Sequence, residues 1–366
     1  MVTFLIFIAV LAVLVLSHEF GHFIVARKSG MKVYEFGFGF PPRLFSIKKG
    51  ETIYSINLIP LGGFVKIKGE DGEEPGPDSF VSQKVWKRAI TLFAGVGMNI
   101  ILAFVLLSAG LMVGLPQSVD NLPSGVSVKD SRLQIMEVMS GKPADQAGLQ
   151  PGDTIIGLDN LENPGIKVMQ EYVNNHKDQD IQVTVKRGDE IVAKKIHPFI
   201  YADTGKGGLG VSLVEVGLVS YPWHKAIYYG FFLTGFYLKE IVLAFFYLIA
   251  GLFVGNHAGE ALSGPVGIAV MTGQIARLGF SYLLNFIALL SLNLAIINIL
   301  PIPALDGGRL LFLLIGKIKR KPIAQKYEQF AHSLGFALLM FLVVVITIKD
   351  LGNFKGFFMD LWYKII

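Results

Sequence analysis

The sequence predicts a polytopic α-helical membrane protein with four transmembrane helices, a cytoplasmic-side β-hairpin or small sheet, and an inserted extracytoplasmic α+β domain. Three observations lead there. The 366 residues are 52% hydrophobic and only 17% charged, with mean hydropathy +0.54, which is more apolar than an ordinary soluble domain. Several apolar stretches are long enough to cross a bilayer, whereas 116–198 has the composition of a soluble domain. Lysine and arginine gather in 27–88 and 309–326, as they do in cytoplasmic loops.

The first element, 1–27, is apolar from Met1 to Ala26 except for Thr3, Ser17 and the run His18-Glu19-Phe20-Gly21-His22. It has no basic leader and no small-residue cleavage site, and positive charge follows it (Arg27, Lys28, Lys32). It reads as an uncleaved span with its N-terminus outside. Residues four apart share a helix face, so His18 and His22 can both present ring nitrogens to one metal ion. Glu19 is then left beside the metal, where it can take a proton from the attacking water and later pass it to a leaving amine. This is the division of labour in H-E-x-x-H metalloproteases. Such a short pattern also arises by chance, but ionisable groups at mid-membrane cost about 2.5 to 3.5 kcal/mol each, so three without a function would be hard to tolerate.

Region 28–88 alternates through Tyr34–Phe40, Arg43–Lys49, Thr52–Ile59 and Gly63–Lys68, with a turn at Lys49-Gly50, and ends in an acidic Gly/Pro loop, Glu70–Asp78. Region 89–115 is a second span, uncharged and rich in small residues (Ala94, Gly95, Gly97, Ala103). Region 116–198 contains short β-type runs, at Val126–Val128, Thr154–Leu158, Ile181–Lys186 and Ile191–Ile196. Its stretch from Gly141 through Ala147-Gly148-Leu149 to Gly152-Asp153 resembles a PDZ signature, which implies a domain able to bind peptides by strand addition. A plain scaffold or steric filter fits the same stretch.

Region 199–280 is expected to be a linker plus a membrane-associated or re-entrant segment, Ala226–Val254. The reason is parity: with both basic regions inside and 116–198 outside, the chain must cross an odd number of times between Pro198 and Arg309. If 281–308 is the third span, then 226–254 crosses twice or not at all, and it is too short to cross twice. A cytoplasmic loop, 309–333, a fourth span, 334–349, and a tail, 350–366, complete the chain.

With no cysteine in the chain, a metal must rest on His and carboxylate oxygen, and a catalytic zinc usually takes three protein ligands. The other histidines, His176, His197, His224, His257 and His332, lie in the soluble region, near interfaces or beside the last span. Asp306 is better placed. It follows Asn298-Ile-Leu-Pro301-Ile-Pro303-Ala-Leu, where prolines break a helix, and precedes Gly307-Gly308. Irregular backbone at membrane depth is tolerated only where it is buried or lines a cavity. A purely structural pairing with Arg309 is the alternative. Spans one and three both enter from outside, and His18 lies about 22 Å along the first, so His18 and Asp306 arrive on the same side. The net charge of +5 belongs to the loops, and no basic run interleaves with aromatics, so nucleic acid is excluded as a partner.

H-E-F-G-H in the first span, N-x-x-P-x-P-x-L-D-G-G in a later one and an intervening PDZ-like stretch resemble the site-2 protease family of intramembrane zinc metalloproteases, in particular the bacterial RseP-like group. The resemblance runs nearly end to end, through Gly37-Phe38-Gly39, Leu61-Gly62-Gly63-Phe64-Val65 and Leu262–Ile268. It implies one Zn2+ per chain on His18, His22 and Asp306, with Glu19 as general base. It also implies that Asn298, with Asn293, positions substrate or stabilises the oxyanion. Five residues apart, the two asparagines diverge by about 140° unless the helix is irregular. Gly37, Phe38, Gly39, Gly62, Gly63, Phe64 and Val65 would bind an extended substrate near the active site. The resemblance further implies the bacterial cytoplasmic (inner) membrane, with the PDZ-like domain outside and the active site toward the cytoplasm. Its substrates would be single-span membrane proteins already shortened by another protease, anti-sigma factors or signal-peptide remnants, whose termini the PDZ-like domain would contact. Membrane lipid is the other partner. The chain departs from the enterobacterial form in having room for one PDZ domain. A catalytically inactive PDZ-containing scaffold is the rival reading, which an intact Glu19 disfavours. An ion transporter would be expected to show inverted repeats, and none is present.

Overall fold

The computed structural model describes residues 2–70, 74–119, 122, 126–188, 190–201, 205–254, 263–321 and 323–353. The chain divides into two compact units, residues 1–109 with 227–366, and residues 110–226.

In the first unit, helix α1 (Val2–Lys28) carries the H-E-F-G-H run. It stops because Gly30 turns left-handed (φ 83°), letting Met31 N–H reach Ala26 O (3.0 Å) and Gly30 N–H reach Arg27 O (3.1 Å). These two bonds cap the last carbonyls of the helix and bury Met31. The chain then folds into β1 (Val33–Lys49) and β2 (Thr52–Ile67), which pair antiparallel with repeated register shifts. Phe36 pairs with both Tyr54 and Val65, and Arg43 and Lys49 pair with Asn57 and Thr52. The two long strands therefore make a sheet of four segments in the order 63–67, 33–38, 52–59, 43–49. Among the described residues, segment 63–67 is an edge. Phe23, Met31, Val33, Ile67, Phe80 and Leu92 form the core that ties this sheet to α1 and α2 (Val85–Val113).

The second unit is a sheet of seven strands, β3 (Leu115–Ser118), β4 (Ser127–Val138), β5 (Thr154–Leu158), β6 (Leu161–Glu162), β7 (Ile181–Arg187), β8 (Glu190–Ile196) and β11 (Val211–Ser220). The order is β3-β11-β4-β5-β7-β8, with β6 on β5, and every pairing is antiparallel. A separate pair joins β9 (Phe199–Ile200) to β10 (Gly207–Gly208). Alternate residues Ile181, Val183 and Val185 face a core completed by Ile135, Ile155, Leu158 and, from α4 (Ile166–Asn175), Met169 and Val173. The short α3 (Pro143–Gln146) precedes the Gly148 turn.

Three boundaries differ from expectation. The α+β unit does not close at 198, because β11 pairs between β3 and β4; the alternation in Val211–Ser220 belongs to the sheet and not to a linker. Region 309–333 is not mainly loop, since α8 (Asp306–Ile318) fills its first half and α9 (Gln325–Asn353) begins before its end. Among the described residues, five helices and not four are long and apolar enough to cross a membrane: α1, α2, α5 (Trp223–Val254), α7 (Phe280–Ile299) and α9. Helix α5 lacks proline and the paired glycines that would fold it back, so the expected re-entrant segment is one unbroken helix. Residues 71–73 of the acidic loop, Leu262 and tail residues 354–366 lie outside the described residues.

Helix α6 (Pro265–Leu278) starts at Gly264, where the buried Asp350 carboxylate of α9 accepts N–H bonds from Gly264 (2.9 Å) and Gly267 (2.8 Å). Helix α7 ends where Leu300, preceding Pro301, takes extended angles (φ −60°, ψ 141°), since proline disfavours helix at the residue before it.

Candidate metal centre

Helix α1 places His18 and His22 on one face, both buried, and the break after α7 brings Asp306 against them from the first residue of α8. Asp306 Oδ2 lies 3.0 Å from His18 Nε2 and 3.3 Å from His22 Nε2, and the two Nε2 atoms are 3.1 Å apart. The Gly-Gly after Asp306 is what permits this approach. A Cβ at Gly307 would stand 2.2 Å from Ile299 O, and one at Gly308 2.3 Å from Ile302 O. Helix α8 therefore starts directly against the backbone of the preceding turn.

The protonation pattern fits a cation. His22 Nδ1 lies 2.8 Å from Thr91 O, an acceptor, so Nδ1 carries the ring proton and Nε2 offers a lone pair. That lone pair, His18 Nε2 and a carboxylate oxygen with no hydrogen-bond partner then converge on one point. Neutral imidazoles and a carboxylate so arranged repel one another unless a cation lies among them. A tetrahedral zinc with bonds of about 2.0 to 2.1 Å sets its ligands about 3.3 Å apart, close to the three separations found.

Helix α2 supplies the supporting side. Thr91, Gly95 and Asn99 are four apart and form one stripe toward the histidines. Thr91 holds His22, and the Asn99 amide lies 3.5 Å from His18 Nδ1. With Oδ1 turned toward it, that amide accepts the Nδ1 proton and leaves His18 Nε2 free to ligate. Gly95 makes room: a Cβ there would meet His22 Nε2 at 2.4 Å and His18 Cε1 at 2.7 Å. Gly21, the glycine of H-E-F-G-H, does the same for the backbone of α2, since its Cβ would stand 2.2 Å from Ala94 O. None of Thr91, Gly95 and Asn99 is singled out as a site residue by the sequence, although the four-residue stripe in an uncharged span is its signal.

Glu19 lies on the same turn, half-buried, and segment 63–67 passes beside it: a Cβ at Gly63 would be 3.1 Å from Glu19 Cγ. Phe38 pairs with Gly63 and Gly37 with Phe64, so Gly37, Phe38 and Gly39 adjoin the strand holding Gly63, Phe64 and Val65, with left-handed Gly62 (φ 109°) at its start. Asn298 reaches the cluster, its Nδ2 3.5 Å from His18 Nε2. Asn293 does not join it. Helix α7 stays regular to Ile299, and Asn293 turns back to donate to Leu289 O of its own helix (2.9 Å).

The family model of peptidase family M50 matches residues 6–342. Among curated proteins, the chain is similar to the regulator of sigma-W protease RasP of Bacillus subtilis, 32% identical over 434 residues, covering 95% of this chain and 98% of that one. It is 31% identical over 435 residues to the zinc metalloprotease RasP of Oceanobacillus iheyensis (96% and 99% covered). It is 30% identical over 438 residues to the zinc metalloprotease RasP of Shouchella clausii (96% and 99% covered).

Proposed function

The chain belongs to peptidase family M50 and is a zinc metalloprotease acting within the membrane; from that premise we propose how its residues divide the work and what they cut. One zinc per chain is held by His18, His22 and Asp306. When bound there, zinc polarises the scissile carbonyl and acidifies water at the site. Glu19 takes the water proton and delivers it to the leaving amine. Asn298 Nδ2 donates to the developing oxyanion. The observation that carries this reading is the convergence of three lone-pair donors with Glu19 on the same turn of an apolar helix.

Substrate recognition rests on segment 63–67. It pairs with 33–38 on one side, has no strand on the other among the described residues, and passes Glu19. An unwound segment of a single-span substrate adding to that edge would bring a peptide bond to Glu19 in extended form, freed from the helical hydrogen bonds that shield it. The name of the Bacillus subtilis relative, regulator of sigma-W protease RasP, supports a substrate class of single-span proteins shortened beforehand, such as anti-sigma factors or signal-peptide remnants. The α+β unit is PDZ-like and acts extracytoplasmically on substrate termini.

Charge and the helices of the first unit support one orientation. Arg27, Lys28 and the 28–88 and 309–321 basic groups lie inside. Helix α6 packs its Gly273 on Thr3 at the start of α1 and its N-terminus on Asp350 at the far end of α9, which supports placing α6 at the outer face. Helix α5 carries an exposed Lys239–Glu240 pair (3.6 Å) at its middle, a costly arrangement facing lipid at full depth. This supports α5 lying along the interface.

The test is cleavage of a single-span substrate by detergent-purified protein, wild type against Glu19→Gln, with zinc measured in both. Cleavage by wild type alone, with zinc in both, is expected. Zinc in both and cleavage in neither, across several shortened substrates, would overturn the reading in favour of a scaffold.

A further inference from the structure

Ala304, two residues before Asp306, has a left-handed backbone (φ 81°) although it is not glycine. An L residue holds that conformation only where its surroundings dictate it. The surroundings come from one face of α9. Ala304 N–H donates to His332 Nδ1 at 2.8 Å. One turn further on, Gly335 lies so close that a Cβ would meet Pro303 O at 2.4 Å and Pro303 C at 2.7 Å. The His332 ring is itself wedged against Phe312 of α8, with centroids 5.5 Å apart. His332 and Gly335 thus form a mould for the Pro303-Ala304 peptide.

We propose that His332 is a positioning residue for the zinc site: through its bond to Ala304 it fixes the turn that aims the Asp306 carboxylate at His18 and His22. The chain of contact is short. The Ala304 peptide leads through Leu305, the residue that caps α8, to Asp306 at the first helical position. A rotation of that peptide swings the carboxylate, and ligand positions in a metal site tolerate only about 0.2 Å. Because the backbone N–H is the donor, Nδ1 accepts and the ring proton sits on Nε2. The useful feature of the side chain is therefore an acceptor at the Nδ1 position, not its basicity. The proposal rests on Asp306 being a zinc ligand.

The experiment measures zinc loss to a chelator and the kcat and KM for a single-span substrate, in full-length detergent-purified protein. His332→Ala is expected to release zinc about 10- to 100-fold more readily, the range for an outer-sphere partner, with kcat lowered and KM little changed. His332→Asn, which places an amide oxygen near the Nδ1 position, is expected to recover most of the loss, and His332→Gln much less. Ala304→Gly added to His332→Ala should also recover zinc, because glycine adopts φ 81° unaided. Asp306→Ala separates the two levels: if it keeps zinc, the ligand assignment fails; if it loses zinc while His332→Ala binds as wild type does, the positioning role alone fails. Should His332→Ala not fold, equal zinc retention in the Asn and Gln variants would overturn the proposal.

Discussion

Gly95→Ala adds one methyl group to a membrane helix, a change that ordinarily favours a helix by up to about 1 kcal/mol. Here it is expected to abolish the metal site. The new carbon would stand 2.4 Å from His22 Nε2, 2.7 Å from His18 Cε1 and 2.8 Å from His18 Nε2. Ordinary contact needs about 3.5 Å, so the rings or the helices must separate by about 1 Å. The helices cannot easily do so, because Gly21 of α1 is pressed on Ala94 O of α2, where a Cβ would be 2.2 Å away. The rings must then move, by several times the tolerance of about 0.2 Å for a ligand atom. The expected result is a loss of zinc affinity of at least about 100-fold, beyond what removing an outer-sphere partner costs. The assay is zinc per chain by elemental analysis and chelator competition, with Gly97→Ala as control. Gly97 is on the same helix and has nothing within 4 Å of its Cβ position. Gly97→Ala should keep zinc and activity. Zinc retained by Gly95→Ala with wild-type affinity would refute the reasoning, because the histidines could not then be the ligands in the geometry described.

Asn99→Leu removes the amide beside His18 Nδ1 and should weaken zinc about 10- to 100-fold by chelator competition while leaving the Gly21–Ala94 contact intact; unchanged affinity would mean that His18 orients without it. In the α+β unit, burial raises the Asp153 carboxyl, but the Arg187 hydrogen bonds (2.7 and 2.8 Å) and the Gln150 N–H (2.9 Å) outweigh it and hold the group below its ordinary value of 3.8. The folded value being the lower, this stabilisation is complete above 3.8 and is lost as pH falls through the depressed value. Asp153→Ala should cost about 1.5 to 3 kcal/mol and remove that part of the acid dependence, read by hydrogen exchange of β7 amides in the full chain; identical acid profiles would contradict it. The absence of cysteine allows clean single-cysteine labelling in right-side-out vesicles. Lys225→Cys and Gly251→Cys should both react with an impermeant maleimide from outside if α5 lies along the interface, and Lys48→Cys should not; reaction at 225 but not at 251 would make α5 a full crossing.

The candidate metal cluster was legible because each member sits in a pattern that chemistry makes rare: two histidines four apart in an apolar span, and a carboxylate in a proline-broken turn followed by two glycines. The supporting residues were not, because their contribution is an absence or a backbone atom. Gly95 matters for the methyl it lacks, and Thr91 for a carbonyl that every residue has. The direction of Asn293 was not legible for a related reason: its residue type suits an oxyanion donor, but orientation on α7 decides its partner, which is Leu289 O, and the helix holds its regular turn until Pro301 forces Leu300 out. Helix α5 and strand β11 show where composition runs out. Composition states that Ala226–Val254 is apolar, while continuity depends on the proline it lacks. The alternation in Val211–Ser220 becomes an inner strand only because β3 and β4, consecutive strands far earlier in the chain, leave a place between them. What sequence carries is the identity of groups able to do the chemistry. What folding adds is the set of close approaches, at Gly21, Gly63, Gly95, Gly307 and Gly308, that bring backbone near enough for three candidate ligands from two distant segments to share one point.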